Sequence, residues 1–342
     1  MLNLTKSTII LKVDKNDYEI NEKNILPTGF SKLLYLNQRG WINVFFRSIY
    51  LGILKKIFNK KIIKFKTIYN TNYNCFHWDH SSSSVFYSNG NLEWGIEYFF
   101  IQTLKNRQRN IFLDVGCHSG YFSCLYNSHF KKIIGFEPSS KCVEPLELLK
   151  KEYKNFTYFN YFLGNCNKTV VSKQYEHGWA FIKENTKDIQ SLELQAISSQ
   201  KGKVIDEKNI EVKTIDEIML NNYDSQNISG IKIDVDGIDL EVLKGGLQII
   251  ERDRPSIMIE NDSMELRSLM RKINYRTFTL AANVNKPYNV CLKELTNNDN
   301  KFWNTNSVCV PKEHVPKDLY TKEIKGNFLF GINRKIMFEK FS

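Results

Sequence analysis

A chain of 342 residues, 42% hydrophobic and 25% charged, is composed like a folded soluble protein, which excludes a disordered or collagen-like one. Its length predicts one large domain with additions, or two domains, with no need of a disulfide scaffold. The net charge of +11 is uneven: residues 1–88 hold 13 basic and 5 acidic side chains, whereas the remaining 254 are close to neutral.

Met1–Ile20 carries lysines and acids and lacks the apolar centre of a signal peptide. Thr8–Val13 is predicted as a strand and Pro27-Thr28-Gly29 as a turn. Trp41–Phe58 reads as a helix with one broad apolar side, but Arg47 interrupts it and it falls short of the roughly 20 apolar residues of a membrane span. Lys55, Lys56, Lys60, Lys61, Lys64 and Lys66 follow with no acid among them. The plainest reading is a helix buried against the main domain with a solvated lysine face. Contact through 41–66 with an anionic membrane surface, or with nucleic-acid phosphates, is the alternative. Asn70–Asn74 and Ser81–Ser84 look like a polar boundary. They divide a basic N-terminal region, 1–88, from a domain at 89–315 and an extension at 316–342.

Beyond that boundary strands and helices alternate. Helices are predicted over Glu93–Lys105, Tyr121–His129, Ser140–Glu152, Thr214–Leu220, Leu240–Glu251 and Met264–Lys272. Strands are predicted over Asn110–Val115, Ile133–Glu137, Phe156–Leu163, Ile231–Val235, Ser256–Glu260 and Arg276–Leu280, with Asn327–Ile332 as a last one. Residues 164–210 are polar and give no clear pattern. The alternation predicts an α/β fold: a Rossmann-like, doubly wound, mostly parallel sheet with an N-terminal basic extension. The seven cysteines (75, 117, 124, 142, 166, 291 and 309) form no C-x-x-C pair, which predicts reduced thiols in a cytosolic protein.

The strongest local signal is Asp114-Val115-Gly116-Cys117-His118-Ser119-Gly120, an apolar strand running into an acid and two glycines before a helix. Gly116 suits a tight turn, and Gly120 suits close approach of a ligand to the helix start. The next strand ends in Phe136-Glu137-Pro138, placing Glu137 21 positions after Gly116. An acid there accepts hydrogen bonds from the ribose hydroxyls of an adenine nucleoside. The G-x-G-x-x-G that a dinucleotide pyrophosphate needs is broken, because His118 stands at the middle glycine position. S-adenosylmethionine has no phosphate to cradle, and Asp114 is expected to meet its amino group directly or through water.

A second cluster, Lys232-Ile233-Asp234-Val235-Asp236-Gly237, ends another apolar strand. Carboxylates at the outer edge of a central parallel strand lie in the ligand crevice, where they can deprotonate a hydroxyl, bind a sugar or hold a divalent metal. Asp236 is equally suited to capping the next helix. No metal ligand is assigned.

Taken together, Gly90–Glu93, Asp114-Val115-Gly116 with Gly120, Phe136-Glu137-Pro138, Val212–Asp216, Ile231–Gly237, Glu241–Gly246, Pro255–Glu260 and Ser307–Pro311 resemble the FkbM family of S-adenosylmethionine-dependent methyltransferases. The resemblance implies a class I methyltransferase fold and methyl transfer to oxygen, commonly on sugars of polysaccharides, glycolipids or secondary metabolites. It puts Asp114, Gly116, His118, Gly120, Glu137 and Pro138 around the cofactor. Asn165 would stand where an acid often holds the adenine amino group. The family usually has Ala-Asn at Cys117-His118 and Glu or Gln at Asp236.

Asp234 is the expected general base, with Lys232 and Asp236 beside it and His177 as a substrate-side alternative. His77-Trp78-Asp79-His80 is expected to be an ordinary polar loop. The expected partner is a glycan or glycolipid acceptor in the cytoplasm, with peripheral contact at the inner membrane surface as a further option. A nucleic-acid methyltransferase and a non-catalytic nucleoside-binding module are the alternatives.

Overall fold

The computed structural model describes residues 41–58, 61–67, 69, 71–76, 78–87, 90, 96–183, 203–235, 237–260, 263–283, 286–295 and 306–315. The predicted strands at Thr8–Val13 and Asn327–Ile332 lie outside the described residues, as does Asp236.

The chain begins with α1 (Trp41–Lys56), β1 (Ile62–Lys66), β2 (Asn72–Phe76), α2 (His80–Tyr87) and α3 (Ile96–Gln102). Then come β3 (Ile111–Val115), α4 (Tyr121–Leu125), β4 (Lys132–Phe136), α5 (Val143–Glu152), β5 (Phe156–Phe159), β6 (Phe162–Leu163), β7 (Lys168–Tyr175), β8 (Ala180–Ile182) and β9 (Val204–Lys213). They are followed by α6 (Ile215–Tyr223), β10 (Ile228–Ile233), α7 (Asp239–Lys244), α8 (Leu247–Asp253), β11 (Ser256–Ile259), α9 (Met264–Lys272), β12 (Tyr275–Asn283), β13 (Lys286–Glu294) and β14 (Ser307–Pro311).

Every residue of β3 is buried. Phe112 points into one apolar layer, and Ile111, Leu113 and Val115 into the other. A strand covered on both faces belongs inside a parallel sheet. Accordingly β4 and β5 pair parallel on one side of it, β10 and β11 on the other. The full order is β13-β12-β14-β11-β10-β3-β4-β5, with β14 antiparallel to both β11 and β12. The predicted Rossmann-like, mostly parallel sheet is therefore present. From β3 the chain steps outward to β5, then returns to lay β10 on the other side, so the topological switch point lies between β3 and β10.

Three segments depart from the sequence expectation. Leu240–Glu251 is two helices, α7 and α8, parted at Gly245-Gly246; a Cβ on Gly245 would sit 1.9 Å from the Gly164 carbonyl oxygen. Residues 164–210 contribute to a second sheet, β6-β9-β7-β8, whose long strands are half exposed and so look polar in sequence. The serine-rich boundary is α2, whose hydroxyls serve the backbone: Ser82 Oγ accepts from the Phe76 amide at 2.9 Å, and Ser83 Oγ donates to the Asp79 carbonyl at 2.9 Å.

The described part of the N-terminal region packs into the main core. Leu51, Phe65, Tyr73 and Phe86 share one apolar layer with Phe112 and Phe122. Buried Arg47 of α1 donates to the Phe86 carbonyl at 2.8 Å, and burial lowers its pKa to about 10. Among the described residues no helix is long and apolar enough to cross a membrane.

Candidate active site at the carboxyl edge of the sheet

Register builds the site. Val115 lies opposite Phe136 and Ile233, and Ile233 opposite Ile259. The residues that follow these four, Gly116, Glu137, Asp234 and Glu260, therefore leave the sheet at one edge, beside the switch point. A cavity of about 340 Å³ opens there and is lined by all four. That volume suits a small-molecule ligand, for which pockets run from about 300 to 1,000 Å³.

Gly116 is required by geometry. Its φ is +71°, and a Cβ would stand 1.9 Å from the Asp234 carbonyl oxygen. The turn after β3 thus presses directly on the end of β10. Gly120 also has a positive φ, +81°, and its missing Cβ makes room for Leu149 of α5, at 2.5 Å, while its neighbours Ser119 and Tyr121 line the cavity.

Glu137 is nearly buried and faces the cavity. Its Oε2 accepts from the His118 amide at 2.9 Å and its Oε1 from the Ser139 amide at 2.9 Å. Each oxygen keeps lone-pair capacity for a further donor such as a ribose hydroxyl. Burial raises the Glu137 pKa, against the pull of His118 and the two amides. Pro138 lines the cavity beside it.

Asp114 does not reach the cavity wall. Its Oδ2 accepts from the Ser123 amide at 2.8 Å and the Ser123 hydroxyl at 2.6 Å, which fastens α4 to the end of β3. The sequence predicts contact with a cofactor amino group, directly or through water; the bonds that Asp114 makes here anchor α4, and its Oδ1 has no hydrogen-bond partner among the described residues. Asn165 is likewise placed elsewhere: its amide donates to Glu241 of α7 at the surface, and Tyr161, Phe162 and Leu163 line that side of the cavity instead.

Lys232, buried inside β10, sends its Nζ to Asp234 Oδ2 at 2.7 Å and to the Gly116 carbonyl at 3.3 Å, and sits 4.9 Å above the Phe122 ring. Burial alone would raise the Asp234 pKa, but Lys232 and Glu260 outweigh it and hold the carboxyl below its ordinary value. Lys232 and Asp234 are thus brought together as predicted. Glu260 was not singled out from the sequence; an acid directly after a buried apolar strand of the switch region was the available signal.

His118 lines the cavity in the left-handed region, φ +49°. Its Nδ1 lies 3.3 Å from Asp79 Oδ2, and its Nε2 faces Gly178. Burial opposes its charge, yet Asp79, then Glu137 and Asp234, raise its pKa to about 9. Asp79 is itself 1% exposed, so the segment expected to be an ordinary polar loop is a built part of the site. Tyr73 Oη joins Ser119 Oγ at 2.7 Å, and Tyr73, Ser81, Ser84 and Val85 complete that wall.

His177 does not join them. Its Nδ1 lies 3.3 Å from the Trp78 carbonyl oxygen and its Nε2 3.5 Å from Glu176, while its neighbours Gly178 and Trp179 line the cavity. The turn at Gly178, φ +88°, aims the chain so that the backbone, not the imidazole, faces inward. A substrate-side base at His177 is therefore not supported. Among the described residues no cluster of three or more His, Cys, Asp or Glu could hold a metal ion.

Residues 114–277 match the model of the methyltransferase FkbM domain. Among solved structures, methyltransferase FkbM from Methylobacillus flagellatus KT is similar at 15% identity, covering 68% of this chain and 55% of that chain with a TM-score of 0.36. An rRNA methylase from Streptococcus thermophilus is similar at 12% identity, covering 64% of this chain and 93% of that one with a TM-score of 0.31. M. capricolum TrmK in complex with S-adenosyl-homocysteine is similar at 10% identity, covering 71% and 80% with a TM-score of 0.30. No curated protein matches the chain. The matched segment contains the Gly116 turn, Glu137, Asp234 and Glu260, so the part of the chain that builds the cavity edge is similar to a methyltransferase FkbM domain.

Proposed function

We propose that the protein is an S-adenosylmethionine-dependent O-methyltransferase whose acceptor is a sugar hydroxyl of a surface polysaccharide, glycolipid or glycosylated metabolite. The observation that carries this reading is the shared edge of the sheet, where Glu137 and Asp234 line one cavity of about 340 Å³. The donor set fits the cofactor: Glu137 is fixed by two backbone amides with acceptor capacity left for two vicinal hydroxyls. His118, held as a cation beside Asp79, suits a ligand carboxylate.

Such a cofactor supplies an electrophilic sulfonium methyl, so the chain's own work is alignment and removal of the hydroxyl proton. Asp234, kept ionised by Lys232, is the group assigned to accept that proton. Glu260 beside it offers a second carboxylate to an adjacent sugar hydroxyl. Trp179 and Tyr161 add aromatic surface of the kind that stacks on apolar sugar faces.

The test is incubation of the purified chain with methyl-labelled cofactor and separate glycan, lipid and RNA fractions. Label in glycan or glycolipid, stable to nuclease, is expected. Label confined to RNA overturns the acceptor class, and no label anywhere favours a binding module without turnover.

A further inference from the structure

Helix α1 has two unlike apolar faces, and the core uses one of them. Arg47 and Leu51 are buried against α2, with Tyr50 and Leu54 packed beside them. On the opposite side Ile49 and Ile53, followed by Ile57 just past the helix end, recur every fourth position at 43%, 37% and 71% exposure, and Phe58, two residues beyond the helix, is 62% exposed. Four exposed large apolar side chains within ten residues stand apart from the scattered exposed residues normal on a surface. Charge supplies the second observation. Residues 41–66 contain seven lysines and arginines and no Asp or Glu. Lys56 and Lys61, which flank Ile57 and Phe58 in sequence, are exposed. Lys64, on β1, is 54% exposed and pairs with Glu152 of α5 at 2.7 Å.

An apolar segment bordered by cations and free of acids is complementary to a bilayer interface, where side chains enter the acyl boundary and lysines meet anionic headgroups. We infer that exposed Ile49 and Ile53 of α1, with Ile57 and Phe58 just beyond its end and Lys56 and Lys61 beside them, form a docking surface for an anionic lipid bilayer. It is separate from the methyl-transfer cavity and does not depend on which acceptor that cavity takes. Nucleic acid fits less well, because phosphates gain nothing from exposed isoleucines.

The experiment is flotation of the full chain with phosphatidylcholine vesicles, with and without phosphatidylglycerol, across a salt series. Binding only to the phosphatidylglycerol vesicles, weakening as salt rises, is expected. Ile53→Asp with Phe58→Asp lowers vesicle affinity roughly tenfold or more, and Lys56→Glu with Lys61→Glu lowers it and flattens its salt dependence. Both variants keep the wild-type melting temperature and affinity for S-adenosylhomocysteine, which separates lost docking from lost folding. Three results overturn the inference: equal recovery with and without phosphatidylglycerol, a stable dimer that Phe58→Asp dissociates, or vesicle binding that appears only after residues 1–40 are removed.

Discussion

The cavity has two walls of different origin. One is made where β3, β4, β10 and β11 end together, and it supplies Glu137, Asp234 and Glu260 from backbone that the sheet holds rigid. The other is made by β2, α2 and the loop between them, which reach the same cavity through two side-chain contacts, Tyr73 to Ser119 and Asp79 to His118. The strand ends carry groups suited to chemistry, whereas the N-terminal wall carries groups that set the position and charge of a neighbour. Damage to the first wall should strike turnover or the fold itself; damage to the second should change how the site responds to pH.

The largest expected effect sharpens the first half of that contrast. Asp234→Ala should lower turnover by about 10²–10⁴, the usual contribution of a general base, with cofactor affinity changed much less. Collapse of affinity with turnover preserved at saturation would reassign Asp234 to binding. Next in size, Gly116→Ala should cost about 3–5 kcal/mol of stability, because its Cβ meets the Asp234 carbonyl at 1.9 Å with φ at +71°. A melting curve within a degree or two of wild type would break the claim that this turn braces β10.

The second wall predicts a smaller, pH-dependent effect. His118 has its folded-state pKa raised to about 9, chiefly by Asp79 working against burial. Its stabilisation is present in full below the unfolded value of about 6.5 and is lost as pH rises through about 9. Melting temperature should therefore fall across that window, by the equivalent of up to about 3 kcal/mol. Asp79→Asn should flatten the dependence; an unchanged slope would place the wall's contribution elsewhere. Smallest of all, His177→Ala should leave turnover within about twofold, since the imidazole turns toward Trp78 and Glu176. A drop of tenfold or more would restore it as a base.

How far each wall could be read from residues alone follows the same division. Strand ends were legible because burial on both faces leaves continuous apolar runs, and the residue that ends such a run is conspicuous, as with Gly116, Glu137 and Asp234. Legibility failed where a side chain had two available partners. Asp114 bonds Ser123, nine positions on, and Asn165 bonds Glu241, and neither choice is encoded in local spacing. Gly120 is legible as a special backbone position, but Leu149, which fills the space its missing side chain leaves, comes from another helix and is not. The N-terminal wall was invisible for a related reason. Polar Ser81–Ser84 resembles a linker until its hydroxyls are seen to satisfy backbone groups, and Asp79 lies 39 positions from the histidine it holds.

Methyl transfer as proposed depends on Glu137 gripping a nucleoside in the cavity at the shared edge of the sheet. Calorimetric titration of S-adenosylhomocysteine into the wild-type chain and Glu137→Ala tests it most directly. One-to-one binding by the wild type, weakened about 10–100-fold in the variant as two charge-assisted hydrogen bonds are lost, is the predicted result. Equal affinity in the two proteins, or no heat of binding in the wild type, would contradict it.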